Sequence, residues 1–161
     1  MIIRKTTLLD LPEIENIYAQ AKVFMIKNGN PNQWAGDYPN QVDAKIDVDS
    51  GIGYVCEDDG EIVAVFAFAN QVEPTYNYID GAWLSDEPYA FIHRIAVKYH
   101  GKGIADFCLN ECFKLYPNIK IDTHKDNIPM QKLLKRNSFT YCGIIYLENG
   151  EERLAFQKIK E

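Results

Sequence analysis

Apolar residues recur along this chain at two periods, and the switches between them outline a fold. Ile14, Ile17, Tyr18, Ala21, Phe24 and Met25 stand at helical spacing. Asp10 reads as the N-cap of that helix, with Glu13 three residues on and Pro12 tolerated in the first turn, and Asn28-Gly29 as its end. Ile2 and Ile3 before it read as a short first strand, and Gln41–Val48 as a second short helix. Two β-rich runs follow, Gly53–Glu57 and Glu61–Ala69, with Asp58-Asp59-Gly60 between them as a hairpin turn. Tyr89–Val97 reads as a strand. Lys102–Tyr116 is a helix whose apolar side is Ile104, Phe107, Cys108, Leu109, Cys112 and Leu115. A strand at Ile119–Thr123, a helix at Asn127–Arg136, and strands at Phe139–Leu147 and Arg153–Ile159 complete the chain.

The resulting order, β-αα-βββ-α-β-α-ββ, predicts an α/β chain with a mixed sheet flanked by helices, organised as one domain over residues 1–161. Two connections are richer in aromatics than plain linkers need. Residues 29–40 carry Trp34 and Tyr38, and residues 71–88 carry Tyr76, Tyr78 and Trp83.

Composition narrows the class. A 47% apolar and 25% charged chain of 161 residues is ordinary for a globular protein. The formal net charge of −6 speaks against nucleic acid as a partner, because affinity there comes from neutralising phosphates. It suits a cationic small molecule such as an amine better. The longest strongly apolar run, Ile62–Ala69, is too short to span a membrane, and the first residues lack the pattern of a secretory signal, so the expected compartment is the cytoplasm. The four cysteines show no metal-ligand spacing and read as small buried hydrophobes, so no metal is expected.

The stretch richest in chemistry runs from Tyr89 to Phe107: a strand, a loop with Gly101 and Gly103, then a helix. A helix N-terminus exposes unpaired N–H groups that attract anions, glycine lets a phosphate approach the backbone, and Lys102 adds positive charge. Gly101-Lys102-Gly103 lacks the spacing and hydroxyl residue of a nucleoside-triphosphate loop, and Asp106 stands where a dinucleotide fingerprint needs its third glycine. On these residues alone, an anion site and a bare strand-to-helix turn fit equally well.

His100-Gly101-Lys102-Gly103-Ile104-Ala105 resembles the acyl-CoA signature of the GNAT superfamily, Gln/Arg-x-x-Gly-x-Gly/Ala, with Gly103 and Ala105 at the two small-residue positions and His100 in place of the usual Gln or Arg. His93–Val97 resembles the strand that leads into that signature. Asp122–Phe139 resembles the family's next block, with Asn137-Ser138 where a turn glycine is usual. The resemblance implies a GNAT fold and an N-acetyltransferase with acetyl-CoA as acyl donor and a primary amine of a small molecule or peptide as acceptor. It implies that backbone groups of Ile95, Ala96 and Val97 pair with the pantetheine arm. Backbone groups from His100, Gly101, Lys102, Gly103, Ile104 and Ala105 would hold the pyrophosphate, and Asn127 would sit nearby, a residue that also reads as a helix N-cap. A homodimer is the family-level expectation.

The implied reaction is direct attack of a neutral amine on the thioester, with a strand N–H near Val97 as oxyanion donor. His93 is the candidate base. Strand alternation puts Phe91, His93, Ile95 and Val97 on one face. A histidine that merely packs on the sheet is the competing reading. The family's usual acid, a tyrosine seven residues after Asn127, is replaced by Leu134, which leaves Tyr141, Cys142 or Tyr146 as substitutes. Trp34, Tyr38 and Tyr78 are the candidate acceptor-binding residues. The missing tyrosine keeps a second reading open, an acyl-CoA-binding or sensory domain of the same fold with weak catalysis. An interaction module without phosphate affinity is a third.

Overall fold

The computed structural model describes all 161 residues, Met1–Glu161. One eight-stranded sheet runs through the chain in the order β1-β2-β3-β5-β6-β8-β7-β4. Its first half is an antiparallel meander of β1 (Ile2–Lys5), β2 (Gly53–Asp58), β3 (Glu61–Ala69) and β5 (Ala90–Val97). Its second half joins β6 (Asn118–Thr123), β8 (Glu152–Ile159) and β7 (Thr140–Tyr146), also antiparallel. Helices α1 (Leu11–Lys27), α2 (Gln41–Asp49), α3 (Ile104–Leu115) and α4 (Ile128–Arg136) follow the predicted order.

The two faces of the sheet bury different residues. Ile104, Cys108, Leu109 and Cys112 of α3 and Leu133 and Leu134 of α4 pack on Cys56, Phe66, Ile92, Ile119 and Ile121. Ile14, Ile17, Tyr18 and Ala21 of α1 and Ala44 of α2 pack with Trp34 on Val55, Val65 and Ala96 of the opposite face. Fully burying one such aliphatic side chain is worth roughly 1.5–3 kcal/mol, so both faces contribute substantially to stability. All four cysteines are buried and free.

Three local differences from the sequence reading have clear physical causes. Asp10 does not cap α1 with its side chain. It lies at the end of a 3-10 turn, accepts from the Thr7 N–H at 2.7 Å and takes a two-pronged contact from Arg4 at 2.7 and 2.9 Å. That guanidinium holds the Asp10 carboxyl below its usual range. Second, the 71–88 connection adds a two-residue strand, β4 (Asp80–Gly81), on the far edge beside β7. Gly81 and Gly143 face each other so closely that a methyl group on either would collide with backbone of the opposite strand, so the bridge depends on both glycines.

The third difference lies in β5 and bears on the site. Val65 is paired with Ala96 but Ala67 with His93, so one extra residue bulges from β5 at Arg94-Ile95. Arg94 takes a left-handed φ of 56°, and its guanidinium makes a bidentate pair with Asp47 of α2, both bonds at 2.8 Å. The bulge breaks simple alternation. Phe91, His93 and Ala96 belong to one face, whereas Ile92, Ile95 and Val97 pack on the α3 side. His93 therefore does not share a face with Ile95 and Val97 as expected.

Candidate active site

Between the two halves of the sheet the strands part. β5 and β6 run parallel and are in register only at Ala90 with Ile119 and Phe91 with Lys120, although β5 continues to Val97 and β6 to Thr123. The parting opens a wedge. On one side of it lies a cleft of about 580 Å³, lined by Phe24 and Met25 of α1, Ile95–Val97, Tyr99–Gly101 and Gly103–Asp106 of the following turn, and Asn127–Met130 with Arg136 around α4.

That turn has the geometry to receive an anion. Gly101 and Gly103 both have a φ of 72°, a left-handed conformation in which a Cβ is unfavourable, and Gly103 is the N-cap of α3. Lys98 is the last residue before the turn whose N–H is spent on the sheet, on the Val63 carbonyl at 2.8 Å. The next bonded amide is that of Phe107, which donates to the Gly103 carbonyl at 3.0 Å. From Tyr99 through Asp106 no backbone N–H donates to another backbone group. A run of free amides at a helix N-terminus binds phosphate oxygens through hydrogen bonds and the helix dipole together.

Asp106, the acidic residue in the first turn of α3, is neutralised in place. Arg136 of α4 reaches its two oxygens at 2.9 and 3.0 Å, and the Asn137 amide donates at 2.8 Å. These contacts hold the Asp106 carboxyl below its usual range. Sequence reasoning missed Arg136; the signal was a basic residue at the end of α4, but nothing local pointed it at α3. The left-handed position of the following turn falls on Ser138, with φ of 69°, and not on Asn137.

Other predicted cofactor residues fall around the same cleft. Ile95, Ala96 and Val97 lie on the stretch of β5 beyond its pairing with β6. The His100 ring is stacked on Phe24, centroids 3.6 Å apart and 9° from parallel, and burial lowers its pKa. Lys102 is exposed at the tip of the turn. Asn127 caps α4 by accepting from the Met130 N–H at 3.1 Å, and its amide donates to Gln33 at 2.9 Å, tying α4 to the loop between α1 and α2. Gln33 is a second residue that sequence gave no reason to single out.

His93 lies on the opposite face, at the mouth of the wedge. Its Nε2 is 3.2 Å from the Tyr76 hydroxyl and 4.0 Å from Oδ2 of Asp122 on β6. The Tyr76 hydroxyl donates to that same oxygen at 2.6 Å. Burial lowers the His93 pKa, partly opposed by the carboxylates of Asp122 and Glu73, so its neutral form is favoured near pH 7. Tyr76 is fixed from behind: Trp83 donates from its indole to the Tyr76 carbonyl at 3.0 Å, and Tyr89 packs beside the ring. Burial beside Asp122 raises the Tyr76 phenol well above its usual range.

The three aromatics expected at an acceptor pocket are not equivalent. Trp34 is only 9% exposed and packs edge-on against Tyr18, centroids 5.8 Å apart, as part of the α1–α2 core. Tyr38 is half-exposed, and its pKa is raised by partial burial and by the carboxylates of Asp43, Asp47 and Asp122, against the opposing field of Arg94. Tyr78 is 67% exposed and lies against Tyr146, centroids 6.2 Å apart.

Leu134 is wholly buried in the α3–α4 core, so that helix presents no hydroxyl there. Of the residues considered as substitutes, Tyr141 packs edge-on against Phe156, the Cys142 thiol points at the Thr140 carbonyl, and Tyr146 lies on Tyr78. None of them hydrogen-bonds His93. His124 is mostly buried, and its Nδ1 accepts from the Asp126 N–H at 3.0 Å. No group of three or more His, Cys, Asp or Glu side chains stands together as a metal site, and no helix is long and apolar enough to cross a membrane.

A parted sheet with a free-amide turn at the start of the following helix marks a fold that can hold a phosphate-bearing ligand beside an open strand edge, and comparison with known proteins identifies its class. Residues 12–139 match the sequence profile of the acetyltransferase (GNAT) family. The chain belongs to that family and is an N-acetyltransferase, whose family donor is acetyl-CoA. A GNAT-family acetyltransferase from Streptococcus agalactiae is 32% identical, with a TM-score of 0.91 over 99% of this chain and 95% of that one. A GNAT-family acetyltransferase from Bacillus cereus, 19% identical, superposes with a TM-score of 0.67 over 99% and 98% of the two chains. The Salmonella typhimurium protein yncA, solved with its cofactor acetyl-CoA, is 15% identical and has a TM-score of 0.62 over 99% and 94%. At these lower identities the likeness is one of fold. No curated protein sequence matches.

Proposed function

We propose that this chain moves the acetyl group of acetyl-CoA directly onto the primary amine of a small molecule or peptide, with His93 as the base. The observation that carries this reading is the geometry of the wedge. Free amides lie at one end, a favoured-neutral imidazole at the other, and the parting of β5 from β6 connects them.

In this reading the amides of Tyr99–Asp106 bind the pyrophosphate, with Lys102 supplying positive charge around them and Arg136 cancelling the charge of Asp106. Backbone groups of Ile95–Val97 take the pantetheine arm as an added strand would be taken. The bulge at Arg94-Ile95 supports this role, because it turns the edge of β5 out of register with its neighbour while Asp47 holds Arg94 in place. Acetyl-CoA supplies the thioester carbonyl. His93 receives the amine's proton as nitrogen attacks, and a β5 amide near Val97 stabilises the oxyanion. The thiolate is a stable leaving group, so the absence of a hydroxyl at Leu134 does not block turnover. The amine enters from the α1–α2 face, past Tyr38 and Tyr78. Asp122 and Glu73 near His93 favour a cationic acceptor. A single cytoplasmic domain acting as monomer or homodimer accords with this role.

The test is a panel of primary amines assayed by release of free CoA, run beside calorimetry with acetyl-CoA. Turnover of at least one amine is expected, and His93→Ala should lower kcat by about 100-fold or more. Binding of acetyl-CoA without turnover of any amine would favour the alternative, an acyl-CoA-binding domain with weak catalysis.

A further inference from the structure

The His93–Tyr76–Asp122 contacts decide which ring nitrogen of His93 carries the proton. A phenol has one proton to give. The 2.6 Å contact to the Asp122 carboxylate is the shorter and is charge-assisted, so the Tyr76 proton lies there. The Tyr76 oxygen then offers only lone pairs to His93. For the 3.2 Å contact to be attractive, Nε2 must be the protonated nitrogen. A neutral imidazole holds one proton, which leaves Nδ1 with its lone pair. The Tyr76 contact is the only hydrogen bond of the His93 ring within the chain, so Nδ1 is uncommitted. The His93 side chain is 28% exposed and Asp122 16%, so the ring can be reached while the far end of the relay is largely shielded.

The geometry points to Tyr76 and Asp122 as positioning residues that fix His93 as its Nε2–H tautomer and present Nδ1 as the atom that takes the acceptor's proton. This rests on reading His93 as the base. As the amine nitrogen bonds to the carbonyl carbon and the C–S bond breaks, CoA leaves as thiolate and the amine's proton passes to Nδ1. The imidazolium keeps its Nε2 proton on the Tyr76 oxygen, and Asp122 offsets the charge from 4.0 Å without taking a proton. His93 then returns its Nδ1 proton to the thiolate or to water. The other charged groups around the ring leave this assignment in place. Glu73 acts only through its field, and Arg94 and Asp47 are committed to each other.

Two measurements test the relay. In the resting protein, nitrogen-15 NMR of the histidine ring above its titration range should show His93 protonated at Nε2 and bare at Nδ1. A predominant Nδ1–H form overturns the proposal, and no acceptor is needed to see it. The second uses the fastest amine from the panel. In Asp122→Ala the Tyr76 hydroxyl loses its acceptor and turns to Nε2, which drives the ring proton to Nδ1. kcat/KM should fall about 100-fold, the size of a general-base contribution. Adding Tyr76→Phe to that variant removes the misdirected hydroxyl and should restore about tenfold of the loss. A double variant no faster than Asp122→Ala overturns the relay, since residues that serve only packing would lose more with the second change. His93→Ala with an undiminished rate would instead remove His93 as base while leaving the NMR result standing, so the two failures are distinguishable.

Discussion

The two ends of the wedge hold their chemistry in different ways. At the Tyr99–Asp106 turn the groups on offer are backbone amides, positioned by two left-handed glycines and the start of a helix. Side chains there are peripheral: His100 stacks on Phe24, and Asp106 is occupied by Arg136. At the His93 end the working groups are side chains from a loop and two strands, held by hydrogen bonds between residues far apart in sequence. A backbone site tolerates change in side chains and fails when the chain path or the local charge changes. A side-chain site fails when one partner is removed. In the proposed reading the contrast is also a division of labour, with the backbone end assigned to the donor and the side-chain end to the acceptor.

Substitutions can break or sharpen this contrast. The largest effect on turnover belongs to His93→Ala, with kcat lower by about 10²–10⁴ and little change in affinity for acetyl-CoA, measured by CoA release and calorimetry. The largest effect on stability belongs to the pair beneath the bulge. Asp47→Ala leaves the Arg94 guanidinium buried without its partner and should cost about 3–5 kcal/mol, read by denaturant unfolding. The amide turn should feel side-chain loss least. Lys102→Ala removes one exposed charge and should weaken acetyl-CoA by roughly tenfold or less, in line with about 1 kcal/mol for such a contact.

The pH profile carries a smaller effect with a definite sign. Burial lowers the His93 pKa below the ordinary 6.5, so the base remains unprotonated below that pH and the acid limb of kcat/KM should lie under pH 6.5. The same shift means the unfolded chain binds the His93 proton more readily than the folded one, so this residue's contribution to stability falls as pH drops below about 6.5. Asp122→Asn removes a carboxylate that raises the His93 pKa and should move the acid limb lower still.

The same contrast explains what was legible in the sequence. Element order and the amide turn were readable because their signals are local: periodic apolar residues, and glycines on either side of Lys102. Asp122 left a fainter mark. Asn118, Lys120 and Asp122 are polar at alternate positions of a strand whose other face is Ile119 and Ile121, which marks a polar face turned toward something specific. Tyr76 was seen only as one of several aromatics in a connection, because nothing local ties it to a strand 46 residues away. The bulge was invisible for a different reason. Arg94 is neither glycine nor asparagine, and its left-handed backbone is supported by Asp47 from another helix. Alternation therefore placed His93 with Ile95 and Val97, and the bulge placed them on opposite faces. Trp34 shows the reverse problem, since an aromatic in a loop looks available to a ligand until a helix is found packed on it.

The measurement that bears most directly on the division between backbone and side-chain ends is calorimetric titration of acetyl-CoA into the wild-type protein, His93→Ala and Gly103→Glu. Gly103→Glu puts a carboxylate among the free amides, and a side chain at that left-handed position adds about 1–2 kcal/mol of backbone strain. Binding should be unchanged in His93→Ala and weakened by about 100-fold or more in Gly103→Glu, several kcal/mol of lost electrostatic and hydrogen-bond contact. Wild-type affinity in a folded Gly103→Glu variant, or loss of binding in His93→Ala, would contradict the account.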